Sequence, residues 1–511
     1  MPVDFQKIVF FGDSLTDSGN LPEPARPDAP YVGGRFTNGP VYAEVLAGEL
    51  GVRSENRALG GAEASTEGDD GPLSLINLDA QVDGYLAAQG FGSGSFLGAG
   101  AFFGLASFFG LNTRVEPGTA ASIFIGSNDL LNERPSTPAQ GANLVGRIVS
   151  NIGEAVADLA GAGASRVFLY TLPNVSDAPA SQSLSATQRA SADQVIAATN
   201  QGIKGLAAQA SAQIPVTVVD VNRLQAEIRS DRETFGLKVL ETPVYTRVGD
   251  NLVATGVTKQ ASINEVAFFD PLHPTAASHG IIAAFSEATI RSDSVQLRIG
   301  GTDNFSGGSG ADFVFTGAGA DRVSGRAGDD VLFGGRGDDI ISGGLGNDLV
   351  VGGGGNDRMV GVSGEDLLAG GAGDDRMRAG AGNDVLVDGS GGDALFGDSG
   401  NDMFVFRNNG LGNGFDQFDG GSGRDTLRLK LGGASYANAA VKAELQEFAA
   451  LLKTSPGSAF TFDTLDLSVT SIERLEVQVG SKTVFSAGAA AVAPSVVMAS
   501  LMRDADLWGI L

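Results

Sequence analysis

Two histidines in a chain of 511 residues leave few choices for a general base. His273 stands in FFDPLHPTAASHG, three residues after Asp270 and between Pro271 and Pro274, which restrict the loop. A D-x-x-H loop of this kind can turn its carboxylate back onto the imidazole, hold one tautomer and stabilise the imidazolium formed when a nucleophile gives up its proton. The matching nucleophile is Ser14, in IVFFGDSLTDSGN, placed where an apolar strand ends and a turn begins. Open α/β sheets put their chemistry at that end of a strand. With no cysteine, a thiol nucleophile, a disulfide and a thiolate metal site are all excluded. No G-x-S-x-G elbow occurs. Asp13, Asp17 and Asp129 read as turn and loop hydrogen-bonding residues, and His279 as a helix residue packed near the site.

Acyl transfer also requires donors aimed at a developing oxyanion. Five blocks occur in order: FGDSLTDSGN, GGRFTNGPVYAEVLA, NRALGGAEAS, IFIGSNDLLN and DPLHPT. Together they resemble the GDSL (SGNH) esterase and lipase family over about residues 5–290. The resemblance implies Ser14 as nucleophile and first oxyanion donor through its N–H, Gly61 as second donor through its backbone N–H, and Asn128 as third through its side-chain amide. It implies His273 as general base oriented by Asp270, with no cofactor for the chemistry. The N–H of Gly60 competes with that of Gly61, and the sequence leaves the choice open.

A second pattern begins near residue 300. Aspartate recurs every nine residues at Asp303, Asp312, Asp321, Asp330, Asp339, Asp348, Asp357, Asp366, Asp375, Asp384, Asp393 and Asp402. The residue two before each is Gly and the residue two after is apolar, from Phe305 to Phe404. This spacing resembles the RTX nonapeptide repeat, a parallel β-helix that binds calcium. Glycine turns let carbonyls face inward, the carboxylates supply the charged oxygen a hard cation prefers, and the apolar residue fills a thin core. The twelve aspartates are therefore the expected ligands of structural Ca2+. Two repeats per coil in that family imply six coils. Regularity decays at the end, where Asp388 and Asp398 occupy Gly positions and Gly420–Asp425 restarts out of phase.

The elements that must carry these residues follow from composition. Runs such as KIVFF, ASIFI, SRVFLY and PVTVVDV alternate with helix-like stretches at 40–50, 143–159 and 187–212, the pattern of a parallel sheet covered on both faces. We expect a three-layer α/β SGNH-hydrolase domain at 1–295, an all-β parallel roll at 296–430 and a cap with a terminal tail at 431–511. Residues 300–429 hold 37 of the 75 glycines, with 21 acidic against 9 basic residues. The net charge of −26 disfavours nucleic acid. Between Gly84 and Thr113 no residue is charged, and the middle carries Phe91, Phe96, Phe102, Phe103, Phe108 and Phe109. This insert reads as a hydrophobic lid or a peripheral lipid contact over residues 91–112, with a buried helical hairpin as the nearest alternative and a membrane span third.

The N-terminus lacks the marks of a cleaved secretory signal. RTX-like arrays without one imply export through a type I secretion system using a C-terminal signal, a role that suits the tail VMASLMRDADLWGIL. The expected protein is a secreted, calcium-stabilised serine esterase or lipase, with a phospholipid among its candidate substrates. A calcium-dependent surface or adhesion protein and a membrane-lytic toxin are the alternatives, each with a non-essential hydrolase domain.

Overall fold

The computed structural model describes residues 3–21, 27, 30–60, 62–64, 77–89, 115–230, 232, 235, 237–240, 242–248, 251–257, 266–297, 300–407, 414–489, 495, 498–499 and 502. They divide into two compact units, one of residues 2–226 and 237–290, the other of residues 227–236 and 291–511.

The first unit is built on a five-stranded parallel sheet of β1 (Lys7–Gly12), β2 (Arg53–Asn56), β3 (Thr119–Phe124), β4 (Arg166–Tyr170) and β5 (Val216–Val219), in the order β2–β1–β3–β4–β5. The inner strands are continuous apolar runs because both faces are covered: Ile8, Val9, Phe10 and Phe11 are all buried. Helices α1 (Tyr42–Leu50), α2 (Leu78–Ala88), α3 (Ser127–Glu133), α4 (Pro138–Gly161) and α5 (Ala186–Ala210) lie between the strands. Local chemistry sets their starts. Thr137 caps α4 and Ser185 caps α5, each in a reciprocal capping box with Gln140 or Gln188, and Pro138 occupies the first turn of α4. Leu144, Ile148, Ile152, Val156 and Leu159 repeat at helical spacing and bury that face of α4 against the sheet core.

Strand order reverses between β1 and β3, so a crevice opens at their C-terminal ends. Gly12 permits the close approach there, since a Cβ on it would overlap the carbonyl oxygen of Phe124. Its free backbone groups are both met by the Gln81 side chain of α2. The Gly12 N–H donates to Gln81 Oε1 and Gln81 Nε2 donates to the Gly12 carbonyl, each at 2.9 Å.

The second unit is a roll of two sheets, of ten and nine strands, parallel except at the terminal strands Phe460–Phe462 and Lys482–Gly488, and successive repeats alternate between them. Neighbours in one sheet are 18 residues apart, as in Val323↔Ile341 and Ile341↔Met359. The expected short strands are six residues long over most of the array, from Arg322–Ala327 to Ala394–Ser399. The apolar residue after each aspartate points inward, and Val314, Leu332, Val350, Leu368, Leu386 and Phe404 stack in one core. At the turns, the Gly two before every ladder aspartate except Asp312 adopts positive φ, and a Cβ on Gly364 would overlap the carbonyl oxygen of Gly346 in the preceding coil.

The apparent restart at Gly420–Asp425 is a continuation. The N–H groups of Asp393 and Asp402 donate to Oδ1 of Asp416 and Asp425 at 2.8 Å, a step of 23 residues in place of 18. The strands Leu467–Thr470 and Arg474–Val479 then extend the two sheets, one each, and the helix Ala439–Thr454 buries Val441, Leu445, Phe448 and Leu452 in the same core. Residues 91–112, Gly61 and nearly all of the tail after residue 489 lie outside the described residues.

Candidate active site

Ser14 follows β1 in a tight bend, where the N–H groups of Thr16 and Asp17 both donate to the Asp13 carbonyl. His273 approaches on the loop before the helix Ala276–Arg291. Its Nε2 lies 3.0 Å from Ser14 Oγ, and its Nδ1 lies 2.8 Å from Asp270 Oδ2. Asp270 Oδ1 accepts the N–H groups of Leu272 and His273 at 2.7 and 2.8 Å, so the short loop folds back on its own carboxylate. Ser14, far away in sequence, and the neighbouring pair Asp270 and His273 therefore form one hydrogen-bonded line.

Tyr31, outside the five blocks, and Phe36, inside the second block but given no role there, complete this geometry. Tyr31 donates its hydroxyl to Asp270 Oδ2, the same oxygen that faces His273. Phe36 stacks on the imidazole with centroids 5.0 Å apart and an interplanar angle of 30°. Burial of Asp270 raises its pKa, but the hydrogen bonds from His273, Tyr31 and the Leu272 amide, with the charge on His273, outweigh burial and hold it at about 2. The carboxylate thus stays ionised throughout the range in which an imidazole titrates. His279 is different: burial, and then the charge on His273, push it down to about 3, and its Nδ1 accepts the Tyr42 N–H at 3.3 Å. It is neutral and inside a helix.

The remaining acids hold loops. Asp17 accepts the N–H groups of Gly19, Asn20 and Gly60, at 2.8, 2.6 and 2.9 Å. The Gly60 amide is thereby engaged with the Asp17 carboxylate; Gly61 lies outside the described residues. Asp129 accepts the Ala64 N–H at 2.8 Å. Asn128, at the start of α3 beyond β3, donates Nδ2 to the Ala62 carbonyl at 2.9 Å, placing its amide on the same side of the crevice as the 60–64 loop. Asp13 is buried, and burial is the main cause that raises its pKa to about 7.

This arrangement joins a serine hydroxyl, an imidazole and a carboxylate in one hydrogen-bonded line at a sheet switch point. A family model for the GDSL-like lipase/acylhydrolases matches residues 8–285. The chain belongs to that family. Its GDSL region is followed by matches to the RTX calcium-binding nonapeptide repeat over residues 299–432. Two relatives are a phosphatidylcholine-sterol acyltransferase from Aeromonas hydrophila, 28% identical over 250 residues, and a thermolabile hemolysin from Vibrio parahaemolyticus, 25% identical over 301 residues. The matches cover 47% and 55% of this chain and 66% and 63% of those proteins. A solved acetylxylan esterase from Geobacillus stearothermophilus aligns over 57% of this chain and 96% of its own, with 15% identity and a TM-score of 0.29. GDSL hydrolases need no cofactor for catalysis, and RTX repeats bind calcium.

The roll's own atoms fit such an ion. Along each sheet the N–H of one ladder aspartate donates to Oδ1 of the aspartate 18 residues on, as from Asp330 to Asp348 at 2.9 Å. The second oxygen, Oδ2, of Asp321, Asp330, Asp339, Asp348, Asp366, Asp375, Asp384, Asp402 and Asp425 is buried without a hydrogen-bond partner among the described residues. It faces a small cradle. A Cβ on Gly334 would meet both Asp339 Oδ2 and the Gly352 carbonyl oxygen, and Gly343, Gly352, Gly361 and Gly397 line equivalent spaces. One charged oxygen grouped with carbonyl oxygens is a hard-cation donor set. No cluster of three or more His, Asp or Glu side chains with metal-binding geometry occurs among the described residues.

Proposed function

We propose that the chain is an extracellular serine ester hydrolase acting on lipid acyl esters. The observation that carries this reading is the unbroken line from Ser14 Oγ through His273 to Asp270. Ser14 Oγ attacks the ester carbonyl while His273 Nε2 takes its proton, and Asp270 stabilises the resulting imidazolium. The Ser14 and Gly61 N–H groups and the Asn128 amide receive the oxyanion. The imidazolium protonates the departing alkoxide, and a water activated by the same imidazole then releases the acyl group from Ser14. Names of the relatives, one acting between phosphatidylcholine and sterol, favour a phospholipid ester. Residues 91–112 supply the apolar contact with lipid in this proposal.

Within it, a hydrolase domain of residues 1–295 is followed by a calcium-binding roll of 296–430 and a cap with an export signal at 431–511. The ladder aspartates from Asp303 to Asp402 hold the ions, and calcium stabilises the array outside the cell after type I export. Hydrolysis of p-nitrophenyl esters and of phosphatidylcholine by Ser14→Ala, His273→Ala and the double variant tests the chemistry. Each single variant should lose nearly all turnover and the double should be barely worse, because both remove the same proton-coupled attack. Substantial turnover by folded Ser14→Ala would sink the assignment.

A further inference from the structure

The charge of the roll is segregated. Strands Arg322–Ala327, Ile340–Leu345, Arg358–Ser363 and Arg376–Ala381 are adjacent in one sheet and contain no acidic residue. Val323, Ile341, Met359 and Met377 point into the core, so their neighbours in each strand face solvent. One outward row reads Arg322, Ile340, Arg358, Arg376, and the next reads Ser324, Ser342, Val360, Arg378. A third carries Arg326 and Val362 at the two ends of Gly344. All five arginines are exposed. Arg378 pairs with Asp398 at 2.7 Å and Arg376 lies over the Phe396 ring at 4.5 Å. Arg322, Arg326 and Arg358 make no ion pair among the described residues. Ile340, Val360, Val362 and, at the strand end, Leu345 are exposed apolar side chains on the same stretch.

From this segregation we infer that the face is a docking surface for the anionic headgroups of a lipid bilayer. Five of the nine basic residues in 300–429 lie on it, whereas most of the array's acids lie in the interior ladder and at the turns; Asp398, in the adjoining strand Ala394–Ser399, borders the face and pairs with Arg378. Arginines interleaved with exposed Ile and Val match a surface that offers phosphates above an apolar layer. A soluble polyanion would use the charges and leave the apolar side chains idle.

The test uses the full chain carrying Ser14→Ala, so that lipid is not consumed, at millimolar calcium. Co-sedimentation is measured with vesicles of equal parts phosphatidylglycerol and phosphatidylcholine, and with phosphatidylcholine alone. Arg358→Gln should weaken binding to the anionic vesicles about fivefold, and R358Q/R376Q/R378Q about 100-fold, while the triple Lys variant retains it. Circular dichroism at the same calcium reports whether each variant's roll is folded. Equal binding of the Gln variants and their parent would overturn the inference. So would equal binding to phosphatidylcholine alone, or complete displacement from anionic vesicles by heparin at matched ionic strength, which would assign the face to a soluble polyanion.

Discussion

Removing calcium should unfold the array at neutral pH, and acid should replace the missing ion. The reason lies in the buried ladder. Burial, opposed by one backbone hydrogen bond each and reinforced by neighbouring carboxylates, raises Asp366, Asp375 and Asp402 to about 8 and Asp339, Asp348 and Asp384 to about 7. An unfolded aspartate titrates at about 3.9, so each of the first three is shifted by roughly 4 units, worth about 5 kcal/mol. Because these folded-state values are raised, the stability they contribute is complete below about pH 4 and is lost as pH climbs towards 8. Three such residues alone match the roughly 5–15 kcal/mol stability of a whole domain. In chelator, far-ultraviolet circular dichroism and protease resistance over 300–429 should therefore be strong near pH 5 and collapse by pH 8. Millimolar calcium should restore both at pH 8 and add little at pH 5, where protons already occupy the carboxylates. A chelated array as well folded at pH 8 as at pH 5 would refute the reasoning.

Three further outcomes are expected. Tyr31→Phe should lower kcat roughly tenfold with KM unchanged, since it removes one charge-assisted hydrogen bond to Asp270 and nothing facing substrate; a change confined to KM would contradict this role. Val362 sits at a φ of 101° that a β-branched residue rarely adopts, so Val362→Gly should stabilise the calcium-loaded roll by roughly 1 kcal/mol, read as a higher Tm. Gly364→Ala places a Cβ on the Gly346 carbonyl oxygen and should cost roughly 3 kcal/mol or more; an unchanged calcium midpoint of folding would show that the coil yields.

The legible parts of the site were those whose chemistry is local. Ser14 ends an apolar strand, Asp270 and His273 share a short proline-bounded loop, and Asn128 follows another strand, so each announces its position by its neighbours. Tyr31, Phe36 and Gln81 do not. Each acts on a partner more than 60 residues away; Tyr31 and Gln81 lie outside the blocks, and Phe36 lies within one whose pattern does not say what it touches. The roll was legible because every coil repeats one short-range pattern. Its continuation through Asp416 and Asp425 was hidden by five extra residues between Asp402 and Asp416, which shift the period while the ladder hydrogen bonds continue.

The alternation of repeats between two sheets sets a unit for changes in the length of the gene product. Deleting or duplicating 18 residues returns every following strand to its own sheet, and the final amides still reach their acceptors, Asp416 N–H at the Asp466 carbonyl and Asp425 N–H at Glu473 Oε2. A change of nine exchanges the two sheets beneath Leu467–Thr470 and Arg474–Val479, so that each terminal strand meets the wrong edge. Variation in array length among descendants of this chain should thus proceed by pairs of repeats, with other insertions tolerated only where, as between Asp393 and Asp416, the ladder hydrogen bond still forms across them.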